Sequence, residues 1–81
     1  MFRVVLDRSA YKNLESFPRD VQKRVYARLK LVEESPFQYV EHFEGACYKL
    51  RIGDYRALLE IKTAEKIIFV RVLDKRERVY R

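Results

Sequence analysis

The spacing of apolar positions changes period once along the chain, from helical to strand-like. Before the change, "FRVVL" (Phe2 to Leu6) is short and rich in β-branched residues, so it reads as a strand. Asp7 or Ser9 can cap a helix start, after which Ala10, Leu14 and Phe17 fall on one helical face. Pro18 suits the first position of a second helix, where its missing N–H is not needed. From it runs "PRDVQKRVYARLKLVEES", in which Val21, Val25, Leu29 and Val32 form an apolar stripe at three- and four-residue spacing. Arg19, Gln22, Lys23 and Lys30 occupy the opposite face. Ser35 precedes Pro36 and is pushed out of the α region, which ends the helix.

The stretch "SPFQYVEHFEGA" shows no clear period and reads as a loop, pinned to the body by Phe37, Tyr39 and Phe43. Beyond it the period becomes two. "CYKLRI", "YRALLEI" and "KIIFVRVL" read as three strands, joined by Gly53-Asp54 and by Thr63 to Lys66. Links this short favour consecutive antiparallel pairing. The expected class is therefore α+β, with an N-terminal strand and two helices packed on an antiparallel β-sheet. "KRERVYR" follows as an extended tail or a short further strand. The chain is short enough for one core only, so a single domain over residues 1–81 is expected.

Composition narrows the function classes. A single cysteine, Cys47, cannot form an internal disulfide, and with one histidine, His42, no Cys/His metal cage can be assembled. Only Gly45 and Gly53 are present, too few for a Gly-rich phosphate loop. No cofactor is expected. Neither a secretory leader nor a membrane-spanning apolar run is evident in the sequence, so a cytoplasmic protein is expected. Charge is uneven. Residues 1–46 carry eight Lys/Arg against seven Asp/Glu, whereas residues 47–81 carry ten against five. The positive field belongs to the C-terminal segment, which fits a polyanion such as RNA or DNA, or an acidic protein surface.

In "YKLRIGDYR", Tyr48, Leu50 and Ile52 point one way along the strand and Lys49 and Arg51 the other. Alone this describes a half-buried strand with a solvated basic face. Arg56 shares its face with Leu58 and Glu60, so an interstrand ion pair is an equal reading. In "KRERVY", an extended backbone places Arg76, Arg78 and Tyr80 on one side and Lys75, Glu77 and Val79 on the other. Brought together, these groups could act on a phosphodiester. Such chemistry needs a base for the 2′-hydroxyl, cations for the charge that develops on phosphorus, and an acid for the leaving 5′-oxygen. Arginine suits the charge role, since its fork fits phosphate and stays ionised. Lys49, set among several cations, can act as a base, and Tyr80 can stack on a nucleobase or assist in proton transfer.

The segments "YKLRIGDYRALLEI" and "KIIFVRVLDKRERVYR", with "FEGACYKL" leading into the sheet, resemble the C-terminal signature of RelE toxins in the RelE/ParE superfamily. The strand–helix–helix order before them is similar too. The resemblance implies a type II toxin, an mRNA interferase that cuts messenger RNA in the ribosomal A site by metal-independent 2′-hydroxyl attack. A cognate RelB-like antitoxin would neutralise it, and its other partners would be mRNA on the ribosome and ribosomal RNA. Position by position it implies catalytic roles for Lys49, Arg51, Arg56, Arg76 and Tyr80, with Arg78, Lys75 and Tyr55 in RNA binding. Arg56 would bind phosphate and Arg76 would stabilise the transition state or assist the acid. Arg51 departs from the lysine of well-studied ribosome-dependent members. The ParE branch, which shares the fold and poisons DNA gyrase, is the alternative.

Overall fold

The computed structural model describes residues 1–75. Strand β1 (Arg3–Leu6) is followed by helices α1 (Arg8–Ser16) and α2 (Arg19–Glu34). Strands β2 (Val40–Glu44), β3 (Cys47–Ile52), β4 (Tyr55–Lys62) and β5 (Ile67–Lys75) complete the order. The five strands form one sheet in the order β1-β5-β4-β3-β2. β2 to β5 are antiparallel neighbours, and β1 joins the far edge parallel to β5, with Arg3 opposite Ile67 and Leu6 opposite Val70. The architecture is the expected α+β arrangement with a mixed sheet. The two helices carry the chain from β1 at one edge to β2 at the other, and the antiparallel meander from β2 back across the sheet brings β5 alongside β1, running parallel to it.

Both helices pack on one sheet face. Val21, Val25, Leu29 and Val32 are all buried, as their stripe predicts, and Ala10 and Leu14 of α1 join them. From the sheet they meet Leu50, Ile52, Ala57, Leu59, Ile61, Ile68, Val70 and Leu73. Pro18 sits one residue before α2 and not within it. Its carbonyl accepts the Gln22 N–H at 3.0 Å, while the Gln22 side-chain amide donates back to the Phe17 carbonyl at 3.1 Å. These two bonds, both donated by Gln22, fix the tight corner between the helices. No helix among the described residues is long and apolar enough to cross a membrane.

The sequence hides β2. Val40 and His42 alternate with Glu41 and Phe43, but most of the strand is exposed, so apolar burial leaves little trace. It forms through its ladder to β3, where Val40 opposes Leu50, Glu41 opposes Lys49 and His42 opposes Tyr48. The stretch expected as a loop is thus partly an edge strand. Pairing slips between His42 and Glu44, leaving Phe43 as the extra residue of a bulge. A second bulge lies between β4 and β5, where Leu58 opposes Val72 and Leu59 opposes Val70. The skipped residue is Arg71.

Arg71 is anchored from two sides. Its guanidinium donates to Glu60 at 2.6 and 2.9 Å and to Asp7 at 2.9 and 3.2 Å. Asp7 stands at the N-cap of α1 but makes no side-chain cap there, because its carboxylate is turned to Arg71. The hydrogen bond from Arg71 holds the Glu60 carboxyl below the usual carboxylate range, against a smaller opposing effect of burial. A carboxyl lowered in the folded state stabilises the fold at neutral pH, and this contribution fades as pH falls through the carboxylate range. Glu60→Gln should therefore flatten the acid limb of the stability profile, read as melting temperature against pH between neutrality and about pH 3.

The β3–β4 hairpin turns on Gly53-Asp54, with Ile52 opposite Tyr55. Gly53 has φ +59°, and a methyl group there would lie 3.1 Å from the Arg24 Nη1. The arginine tip can move aside, so the left-handed backbone carries most of the cost. Gly53→Ala should lose about 1–2 kcal/mol, a fall of roughly 4–16 °C in melting temperature for a domain of this size.

Candidate functional site

The two-residue turn after β3 decides what the basic positions can do together. Lys49 and Arg51 alternate with the buried Leu50 and Ile52, so both project from the sheet face away from the helices. The turn brings Arg56 directly opposite Arg51 in the β3–β4 register. Like charges facing each other across a ladder are destabilising, and their juxtaposition marks a surface suited to an anion.

Arg56 is only 8% exposed. Its Nη1 donates to the Gly53 carbonyl at 2.8 Å and the Tyr55 carbonyl at 2.9 Å, which ties the guanidinium to the turn that precedes it. Both acceptors are neutral. Among the described residues the interstrand ion pair open to Arg56 from the sequence does not form, since Glu60 is taken by Arg71 and Lys62. Arg51 stays exposed at the surface. The Lys49 ammonium lies 5.0 Å from the centroid of the Phe43 ring, a cation–π contact supplied by the β2 bulge.

Lys49, Arg51 and Arg56 line one open cleft of about 470 Å³, whose remaining wall is Gln38, Tyr39, Val40 and Glu41. Three cations on a shared cleft can hold a phosphodiester and offset charge that develops on it. Glu41, facing Lys49 across the ladder, adds a carboxylate. Sequence reasoning missed Glu41 and Tyr39 as site residues because the segment carrying them was read as a loop. The period-two alternation of "YVEHFE" was the available signal.

Other expected site residues are distributed differently. Tyr55 follows the turn with its side chain on the helix side, 8% exposed, its ring 4.6 Å from that of Phe17. Its ring belongs to the core and lies outside the cleft, because adjacent strand residues face opposite ways and Arg56 takes the cleft side. Lys75 pairs with Tyr55 at the end of β5 and lines a separate hollow beside the α1–α2 corner, with Asn13 and Pro18. It is not part of the cleft. Arg76, Arg78 and Tyr80 lie outside the described residues. His42 stacks edge-on to Tyr48 at 5.2 Å, and its Nε2 lies 3.0 Å from the Gly45 carbonyl, so it serves packing and the turn. Cys47 is a free, half-buried thiol. Among the described residues no group of three His, Cys, Asp or Glu side chains converges as a metal site would require.

Comparison with known proteins gives a consistent result. The family model for the ParE toxin of type II toxin–antitoxin systems, parDE, matches residues 4–79. A chain of the archaeal RelE–RelB complex from Pyrococcus horikoshii OT3 superposes with TM-score 0.86 at 27% identity, covering 96% of this chain and 98% of that one. A chain of the intact E. coli RelBE toxin–antitoxin complex gives TM-score 0.81 at 26% identity, with 96% and 100% coverage. The isolated E. coli RelE toxin shares the fold, with TM-score 0.83 at 23% identity over 99% of this chain and 89% of that one. No curated protein matches the sequence.

Proposed function

The chain belongs to the RelE/ParE superfamily of type II toxin–antitoxin toxins, and on that premise we propose that it is a ribosome-dependent mRNA endoribonuclease. The observation that carries this reading is the convergence of Lys49, Arg51 and Arg56 on one cleft. The neighbouring RelE structures, at 26–27% identity, support it over the bare fold. The proposed reaction is attack by a 2′-hydroxyl on its own 3′-phosphodiester. The O2′–P bond forms, the P–O5′ bond breaks, and a 2′,3′-cyclic phosphate remains on the upstream fragment.

Within that reaction Arg56 is the phosphate anchor, since its fixed guanidinium is held by the turn carbonyls and needs little reorganisation as charge develops. Arg51, directly opposite, contacts a second non-bridging oxygen. Arginine does not give up its proton in proteins, so the base is drawn from Lys49 and the facing Glu41. Arg76 and Tyr80 keep the roles implied by the RelE resemblance, transition-state stabilisation or acid assistance and proton transfer or base stacking. The proposed partners are mRNA on the ribosome, ribosomal RNA and a RelB-like antitoxin, all in the cytoplasm. The antitoxin proposal draws on the neighbouring toxin–antitoxin complexes.

The family-model match to a ParE toxin favours one second reading, inhibition of DNA gyrase. Purified protein separates the two. Added to programmed ribosomes it should yield discrete message cuts by primer extension, and it should leave gyrase supercoiling unaffected. Intact message together with blocked supercoiling would establish the gyrase reading instead.

A further inference from the structure

We infer that Tyr39 is a nucleobase-stacking platform that seats the base beside the phosphate held by Arg51 and Arg56. The inference rests on the RNA-cleaving reading and deepens it. Most other aromatics near the sheet have a structural occupation. Phe17 packs on Tyr55, while Phe37 and His42 both pack on Tyr48. Phe43 carries the Lys49 ammonium. Tyr39 has no such occupation. It lines the cleft with the three cations, is 36% exposed, and makes no ring contact or hydrogen bond among the described residues.

Its place in the sheet gives the spacing. Val40, next to Tyr39, pairs with Leu50 on β3, and Leu50 pairs with Ala57 on β4. Neighbouring strands lie about 4.8 Å apart. The Tyr39 wall is therefore one strand spacing from the Arg51 strand and two from the Arg56 strand, roughly 5 and 10 Å, which is the reach of one nucleotide from base to phosphate. An exposed ring beside a cationic groove is the arrangement by which single-stranded nucleic acid is held, with cations on the backbone and a ring on the base. Acidic side chains of a protein segment would satisfy the cations without calling for a ring beside them, whereas a nucleotide carries phosphate and base together. The charge of the cleft together with an unoccupied ring therefore favours RNA.

The chain contains no tryptophan, so Tyr39→Trp creates a single reporter at the proposed stack. Emission is followed at low salt with a short oligo(A) RNA and with polyphosphate, an anion without bases, while calorimetry monitors binding of each. RNA should quench the emission and polyphosphate should bind without quenching. In message cleavage, Tyr39→Leu should raise KM about 10-fold, within the range expected for one stacked base. Equal or absent quenching with both ligands bound would overturn the inference. If wild type nevertheless cleaves messages, only the stacking inference falls. Failure of RNA to bind at all, with intact messages, removes the RNA-cleaving reading as well. Weakened antitoxin binding by Tyr39→Leu with unchanged KM assigns the ring to a protein partner and also overturns it.

Discussion

Arg51→Ala should leave the melting temperature within a few degrees of wild type and lower message cleavage about 100-fold. The separation of effects follows from position. Arg51 is exposed, and its neighbours Leu50 and Ile52, which carry the packing of β3, point into the core. Removing its side chain even relieves the facing charge of Arg56. In the proposed transition state, however, charge builds on the phosphate oxygens, and the loss of one prepositioned donor costs about 10²–10³ in rate. Arg51→Lys restores charge without the planar fork and should recover only part of the rate. Arg56→Ala is a less clean probe, because its Nη1 also bonds the turn carbonyls. The comparison is made by single-turnover primer extension with melting curves on the same preparations. An Arg51→Ala protein that melts normally and cuts at the wild-type rate contradicts the assignment.

The largest stability effect is expected at Leu59. This residue is fully buried on β4, the central strand of the sheet, with β3 on one side and β5 on the other. Leu59→Ala removes packed volume where neither flanking strand can move inward freely. The expected cost is about 2–5 kcal/mol, the range for leucine truncation in a rigid core. For a domain of this size that is a fall of roughly 8–40 °C in melting temperature. Since small domains hold only about 5–15 kcal/mol in total, the variant should be partly unfolded near physiological temperature. Leu31→Ala on α2, 37% exposed, is the control and should change stability by about 0.5 kcal/mol or less. Denaturant unfolding of both variants checks the contrast.

Much of the fold was legible because its core follows local periods. The Val21, Val25, Leu29 and Val32 stripe marks α2, and the alternation in β3 and most of β4 marks strands buried on one face. What escaped depends on pairing across the sheet. β2 is an edge strand held by its ladder, so its apolar signal is weak. The parallel docking of β1 on β5 joins residues more than sixty positions apart, and no local pattern encodes it. The bulge at Arg71 shifts the period of β5, so that Leu73 and not Val72 follows Val70 into the core, and the outward Arg71 is held by ion pairs with Asp7 and Glu60.

The site divides along the same line. Lys49 and Arg51 were readable from alternation, and the two-residue turn implied Arg56 beside them. Tyr55 falls on the core side, away from the cleft, because consecutive strand residues face opposite ways. Glu41 and Tyr39 needed β2 to exist before they could border the cleft. Their presence changes the chemistry on offer, since a carboxylate and a ring now stand beside three cations.

The most direct test of the central claim is the terminal chemistry of message cut by the purified protein on programmed ribosomes. The upstream fragment should end in a 2′,3′-cyclic phosphate, with a free 5′-hydroxyl on the downstream fragment. Upstream fragments ending in a 3′-hydroxyl, or messages left uncut, would contradict the account.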